Sequence, residues 1–227
     1  MAIAKTELEF MKEALPFWNA LSQNQKERIE ATASAFTVKK GQSLHDGSQD
    51  CLGLILVKSG HLRAYILSDT GKEITIYRLF ERDACIFSAA CMLKNITFDI
   101  SIEAESESRV LLIPTAVYNE LNESTLAVSG FTNQLISSRF SDVMWIMEQV
   151  LFTSFDRRLA NFLLEQSAVE GSDTLHITQE AIANHLGSAR EVVTRMLKYF
   201  QSEGMVSLFR GGVTISSRKK LEKLSEK

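Results

Sequence analysis

Arg190, Glu191 and Arg195 place two cations and one carboxylate within two turns of one helical segment. An arginine fork matches guanine O6 and N7, and a glutamate can accept from a cytosine N4 amine. Arg195, one turn beyond Arg190, can reach a further base or a phosphate. The plain alternative is three solvated surface charges. Base reading requires more than charge: the helix must be held rigidly, end-on to a groove, by its neighbours.

The surrounding sequence supplies such neighbours. Ile177 to Phe200 reads ITQEAIANHLGSAREVVTRMLKYF. Thr178 can cap a first helix with Ile182, Ala183 and Leu186 facing inward. Gly187 stands where a left-handed turn residue is needed. Ser188 is the expected cap of the next helix, which turns Val193, Met196 and Leu197 inward and leaves Arg190, Glu191, Thr194, Arg195 and Lys198 outside. This is a helix-turn-helix pattern, whose second helix enters the major groove of double-stranded DNA. Met205–Leu208 and Val213–Ile215 flank Arg210-Gly211-Gly212, which predicts a hairpin wing with a Gly-Gly turn. Ser188, Thr194, Lys198 and Arg210 are the expected phosphate contacts.

The overall charge discourages this reading until it is divided. The 227 residues carry 25 Lys+Arg and 28 Asp+Glu, a net of −3. From Thr178 onward there are nine Lys+Arg and five Asp+Glu, a net of +4, against 16 and 23 in the remainder, a net of −7. An acidic body precedes a basic end, which is the distribution a nucleic-acid reader needs. Hydrophobic residues at 45% and charged residues at 23% exclude a disordered or collagen-like chain. Cys51, Cys85 and Cys91 form no CxxC pair, and charged residues interrupt Met1–Leu15, so a reducing cytoplasm without membrane insertion is expected.

Before the basic end the texture changes twice. From Phe36 to about Pro114, short β-branched and aromatic runs alternate with turn signals such as Lys40-Gly41, Ser59-Gly60 and Asp69-Thr70-Gly71. Leu54–Val57, Leu62–Leu67, Ile74–Tyr77, Ile100–Ala104 and Val110–Ile113 read as strands of an antiparallel sandwich or barrel of about eight strands. After Pro114 the period becomes helical. Ile136, Phe140, Val143, Met147 and Val150 step by 4, 3, 4 and 3, an a/d seam that suits either a long helix packed on its own domain or a two-stranded coiled coil that makes a homodimer. Phe152–Phe155 interrupts the pattern and reads as a hinge, with Ser154 the cap of a helix over Phe155–Gln166.

With these parts in order, the chain resembles the CRP/FNR family of bacterial transcription regulators over nearly its whole length. Gly41-Gln42-Ser43-Leu44, Val57–Arg63 and Gly71-Lys72-Glu73 match the family's β-roll turns, and Asp156–Ala160 resembles the start of its DNA-binding domain. Arg190-Glu191 with Arg195 matches the R-E-x-x-x-R pattern of the cyclic-AMP receptor branch. The resemblance implies an α+β chain: a double-stranded β-helix (β-roll) sensor over 1–123, a dimerisation helix over 124–152 and a winged helix-turn-helix over 153–227. It further implies a palindromic operator with TGTGA-like half-sites, contact with RNA polymerase through the loop Ala168–Thr174, and allosteric control by a small effector.

The effector segment departs from the family pattern. Ile86-Phe87 stands where cyclic-AMP binders carry Gly-Glu, and Phe98-Asp99 falls near their Arg-Ser. Lys94 is the one cation between Cys85 and Thr97, so a cyclic phosphate would lose its charge-paired hydrogen bonds. The expected pocket involves Arg63, Ile86, Phe87, Ser88, Cys91, Thr97 and Phe98, for an unknown and largely apolar effector. An alternative within the family is a redox or haem sensor using Cys85 and Cys91 or His61; three cysteines, none before Cys51, do not fit an iron–sulfur cluster held within one subunit. An enzyme is not expected: the four histidines are dispersed, no metal-ligand cluster emerges, and no nucleophile elbow, P-loop or GxGxxG occurs. An adaptor that keeps the helix-turn-helix shape without binding DNA is the third class, to be recognised by absent binding even at low salt.

Overall fold

The computed structural model of the chain describes residues 3–46, 52–86 and 100–226. These form two compact units, one of residues 1–66 and 76–143, the other of 67–75 and 144–227, each with its own hydrophobic core.

In the first unit, α1 (Lys5–Ala14), a single 3-10 turn (Trp18–Ala20) and α2 (Gln23–Thr32) precede the strands. A capping box starts α2: Gln25 N–H donates to Ser22 Oγ at 3.3 Å, and Ser22 N–H donates to Gln25 Oε1 at 2.9 Å. Among the described residues eight strands follow: β1 (Ser34–Val38), β2 (Ser43–Asp46), β3 (Gly53–Ser59), β4 (Leu62–Leu67), β5 (Glu73–Leu79), β6 (Ala84–Cys85), β7 (Ser101–Ala104) and β8 (Ser108–Pro114). They make two four-stranded sheets, ordered β1-β8-β3-β6 and β2-β7-β4-β5. Pairing is antiparallel, with Leu54 opposite Ile113 and Leu56 opposite Leu111 between the central strands β3 and β8. Gly53, at φ +133°, passes so close to the Ile113 carbonyl that any Cβ there would overlap it.

Along β8, a central strand, Ser108, Val110, Leu111 and Ile113 are buried while Arg109, Leu112 and Pro114 are half-exposed. The core joins Leu54, Leu56 and Ile86 to Met11 of α1 and Leu15 just after it, Ile29 of α2, and Tyr118 and Leu121 of α3 (Thr115–Ser124). The Tyr118 hydroxyl, deep in this core, bonds to Thr132 Oγ1 at 2.8 Å on α4 (Leu126–Phe152). Burial raises the Tyr118 phenol above its usual pKa, against the smaller lowering effect of that bond.

The second unit contains α5 (Phe155–Glu170), β9 (Thr174–Leu175), α6 (Gln179–Leu186), α7 (Arg190–Ser202), β10 (Val206–Phe209), β11 (Gly212–Ile215) and α8 (Arg218–Ser225). The strands form one sheet in the order β10-β11-β9. Leu159 and Leu163 of α5, Ile182 of α6, Val193, Leu197 and Phe200 of α7, Val213 of β11 and Leu221 of α8 fill the core. Helix α5 is longer than its sequence pattern suggests, running to Glu170 before Gly171 ends it at φ 62°. Ala168–Glu170 therefore belongs to a helix, not to a loop; only 171–173 connects α5 to β9. Ser154 holds the N-cap position of α5 but accepts no capping bond through its side chain.

Candidate nucleic-acid interface

The helix-turn-helix is built locally by its caps. Thr178 Oγ1 accepts from Ala181 N–H at 3.1 Å and starts α6. Gly187 ends that helix at φ 62°, its N–H donating to the Ala183 carbonyl, and Ser188 N–H donates to the same carbonyl at 3.0 Å. This leaves Ser188 in the turn; the cap of α7 is Ala189, with no side-chain capping bond, so the expected Ser188 cap is not the one formed. The two bonds to Ala183 are those of a helix-ending turn, and they occupy the stretch in which a serine would have had to cap. Arg158 Nη1, from α5, donates to the Leu186 carbonyl at 3.0 Å and closes the end of α6 from outside. Burial lowers the pKa of this guanidinium below its ordinary value.

Helix α7 divides into two faces. Val193, Leu197 and Phe200 are buried, whereas Arg190, Glu191, Arg195 and Lys198 are exposed. Among the described residues, none of these four, nor Arg210, has a side-chain ion pair or hydrogen bond within the chain. Their charges are thus available to a partner. Thr194 differs: its hydroxyl lies 2.5 Å from Gln179 Oε1 and 2.8 Å from the Arg190 carbonyl. Ser188 is half-buried.

The wing completes the surface. Phe209 and Gly212 pair across its tip, so the turn is Arg210-Gly211, with Gly211 at φ 86°. The expected Gly-Gly turn is corrected accordingly: Gly212 is the first residue of β11 and is buried. A groove of about 490 Å³ runs between the start of α6, the start of α7 and the wing. Its lining includes Thr178, Gln179, Arg190, Phe209 and Arg210, so Arg190 and Arg210 border one depression. The His176 ring meets Phe209 edge-on at 5.6 Å. Gln179, Arg158 and the His176–Phe209 pair were not signalled by the sequence pattern. Only the place of Gln179 directly after the Thr178 cap could have drawn notice.

On α4, Phe140 is 66% exposed, and Met147 and Val150 nearly half, while Ile136 and Val143 are half-buried. Met144, Trp145, Leu151 and Phe152 add four more exposed apolar side chains outside the expected seam.

Of the expected effector residues, Phe87, Ser88, Cys91, Thr97 and Phe98 lie outside the described residues. Ile86 is buried in the core of the first unit. Arg63 is also buried, its Nη2 3.2 Å from Glu103 Oε2 and its guanidinium 4.2 Å from the centre of the Tyr65 ring. Cys85 is fully buried, with its sulfur 3.9 Å from the Tyr77 hydroxyl. His61 Nδ1 lies 3.1 Å from Ser106 Oγ, and its ring stacks on Phe80. Among the described residues no helix is long and apolar enough to cross a membrane.

These features define a class: a winged helix-turn-helix carried in one chain with an antiparallel β domain. The comparisons agree. The model of the Crp-like helix-turn-helix domain matches residues 157–224. A crystal structure of a putative transcriptional regulator of the CRP/FNR family from Eubacterium rectale is 50% identical, with a TM-score of 0.93 over 95% of this chain and all of that one. The regulatory protein HlyX of Actinobacillus pleuropneumoniae is 25% identical over 79% of this chain and 76% of its own length. The transcriptional activator protein anr of Pseudomonas aeruginosa is 27% identical over 75% of this chain and 71% of its own length. The chain belongs to the CRP/FNR family of DNA-binding transcription regulators.

Proposed function

We propose that the chain acts in the cytoplasm as a homodimer that reads a palindromic DNA operator, with recognition helix α7 in the major groove. The observation that carries this is the pairing of free charges around one groove: Arg190 at the first turn of α7 and Arg210 on the wing, neither bonded within the described chain. Arg190, Glu191 and Arg195 read bases in a TGTGA-like half-site, and Lys198, Arg210 and Ser188 hold phosphates. The exposed apolar strip on α4 supports dimerisation, since seven large apolar side chains exposed between Phe140 and Phe152 are more than a solvated face carries. RNA polymerase is the expected second partner.

The effector in this reading is a small molecule other than cyclic AMP. The ion pair between Arg63 and Glu103 supports it, because a cation already compensated by a carboxylate offers little to a phosphate. Native mass spectrometry of the purified protein tests this point, and a retained cyclic nucleotide would overturn it. The DNA reading is tested by gel-shift titration on a TGTGA inverted repeat. Wild-type protein should discriminate against a scrambled duplex, and Arg190→Ala should lose most of that discrimination. Equal discrimination in the two proteins would remove Arg190 from the base-reading role.

A further inference from the structure

We infer that Gln179 is a positioning residue for base recognition, acting through Thr194 on the turn of α7 that presents Arg190; this rests on the DNA reading above. Gln179 opens α6 and Thr194 lies on α7, so the 2.5 Å contact between their side chains bridges the two helices of the motif. Thr194 in turn bonds the carbonyl of Arg190, four residues earlier, at 2.8 Å. The three groups form a chain from the first helix to the backbone of the residue that enters the groove. A hydroxyl has one proton, so Thr194 can serve both neighbours only by donating to one and accepting from the other. With Gln179 Oε1 facing Thr194, the single hydroxyl proton is shared between two acceptors, Oε1 and the Arg190 carbonyl; turning the Gln179 amide end for end lets its Nε2–H donate to Thr194 Oγ1 while Thr194 donates to the Arg190 carbonyl. That interlock fixes the Thr194 rotamer and the register of α7 against α6.

The fold itself does not depend on this bridge. Ile182, Ala183, Val193 and Leu197 already bury the interface between the helices, whereas Gln179 and Thr194 sit half-exposed at its rim. Gln179 also lines the same groove as Arg190. What the bridge controls is the aim of the first turn, and a small error there is costly to a bidentate base contact. Thr194 is accordingly assigned to holding the motif together and not to a phosphate.

The test uses the full-length protein and an operator selected by it from a random duplex pool, so that the half-site need not be assumed. Specific and non-specific affinities are measured at one salt concentration. Gln179→Ala and Thr194→Val should each lower the ratio of specific to non-specific binding about two- to tenfold, the net worth of one hydrogen bond. Thr194→Ser, which keeps the hydroxyl, should restore it, and thermal midpoints should stay at the parent value. Because the bridge acts through Arg190, Gln179→Ala combined with Arg190→Ala should be no worse than Arg190→Ala alone. Parent-like discrimination in Gln179→Ala, or losses that simply add, would overturn the inference while leaving the DNA reading intact. If the parent protein selects no operator, the DNA reading fails and takes this inference with it.

Discussion

The ring of Phe209 lies across Gly212, filling the space that a Cβ on Gly212 would occupy; the Leu175 carbonyl closes the same space from β9. With any other residue here, β11 could not keep this approach to Phe209 and to the Leu175 carbonyl. Gly212→Ala should cost about 1–3 kcal/mol, as overpacking of a buried site does. Because the displaced ring borders the groove, DNA affinity should fall on all sequences alike. Chemical denaturation alongside gel shifts would check both, and an unchanged denaturation midpoint would contradict the close packing.

Arg190 and Arg210 border one groove but should fail differently. Arg190→Ala removes a base contact and should cost about 1–3 kcal/mol of discrimination, confined to the base pair it reads. Arg210→Ala should weaken binding to every duplex and lower the slope of log K against log salt by about one. Titrations on operator and scrambled duplex at several salt concentrations separate the two. A reversed pattern would exchange the roles.

Val143 sits half-buried within the apolar strip of α4, one turn from the exposed Phe140. Val143→Asp should convert the proposed dimer to monomer and abolish operator binding together, because a lone carboxylate in an apolar seam is uncompensated. Sedimentation velocity reads the first effect and footprinting the second. A monomer that protects both half-sites cooperatively would refute the dimer model.

Asp173 should make the stability of the second unit sensitive to acid. Its carboxylate accepts from Arg218 Nη2 at 2.7 Å and from Ser167 Oγ at 2.8 Å, and these bonds, the arginine's foremost, hold its pKa below the ordinary aspartate value. The depressed folded-state pKa gives a contribution fully present above about pH 4, the ordinary aspartate range, and lost as pH falls through the lower folded value. Urea midpoints of the parent should therefore decline more steeply than those of Asp173→Asn below about pH 4. Parallel curves for the two proteins would show that the ion pair contributes nothing.

The strands and the two DNA-motif helices were legible because their signals are local. The apolar run Val110-Leu111-Leu112-Ile113 announces β8, and Gly187 marks the end of α6 because few other residues adopt its φ of 62°. The wing was legible as a hairpin but not in its turn: Arg210-Gly211-Gly212 allows two placements, and the decisive fact, Phe209 lying on Gly212, is a packing contact. Residue type alone favours Ser188 as a cap, yet α7 starts at Arg190, which puts Ala189 at the cap position and Ser188 in the turn after Gly187. The bond between Gln179 and Thr194 joins two half-exposed polar residues fifteen apart, which no periodicity flags. Likewise an a/d seam selects a narrow stripe, so Trp145 and Leu151, exposed outside it on α4, escaped notice.

Leaving so much apolar surface on α4 in water makes the abundance of the protein itself an input. If a second copy covers that strip, the share of paired molecules rises with the amount made, and dilute protein is both unpaired and sticky. Operator occupancy would then climb more steeply than protein level, since two chains must meet before either half-site is held well. A modest change in synthesis or degradation could shift such a gene from silent to fully responsive without any change in the effector.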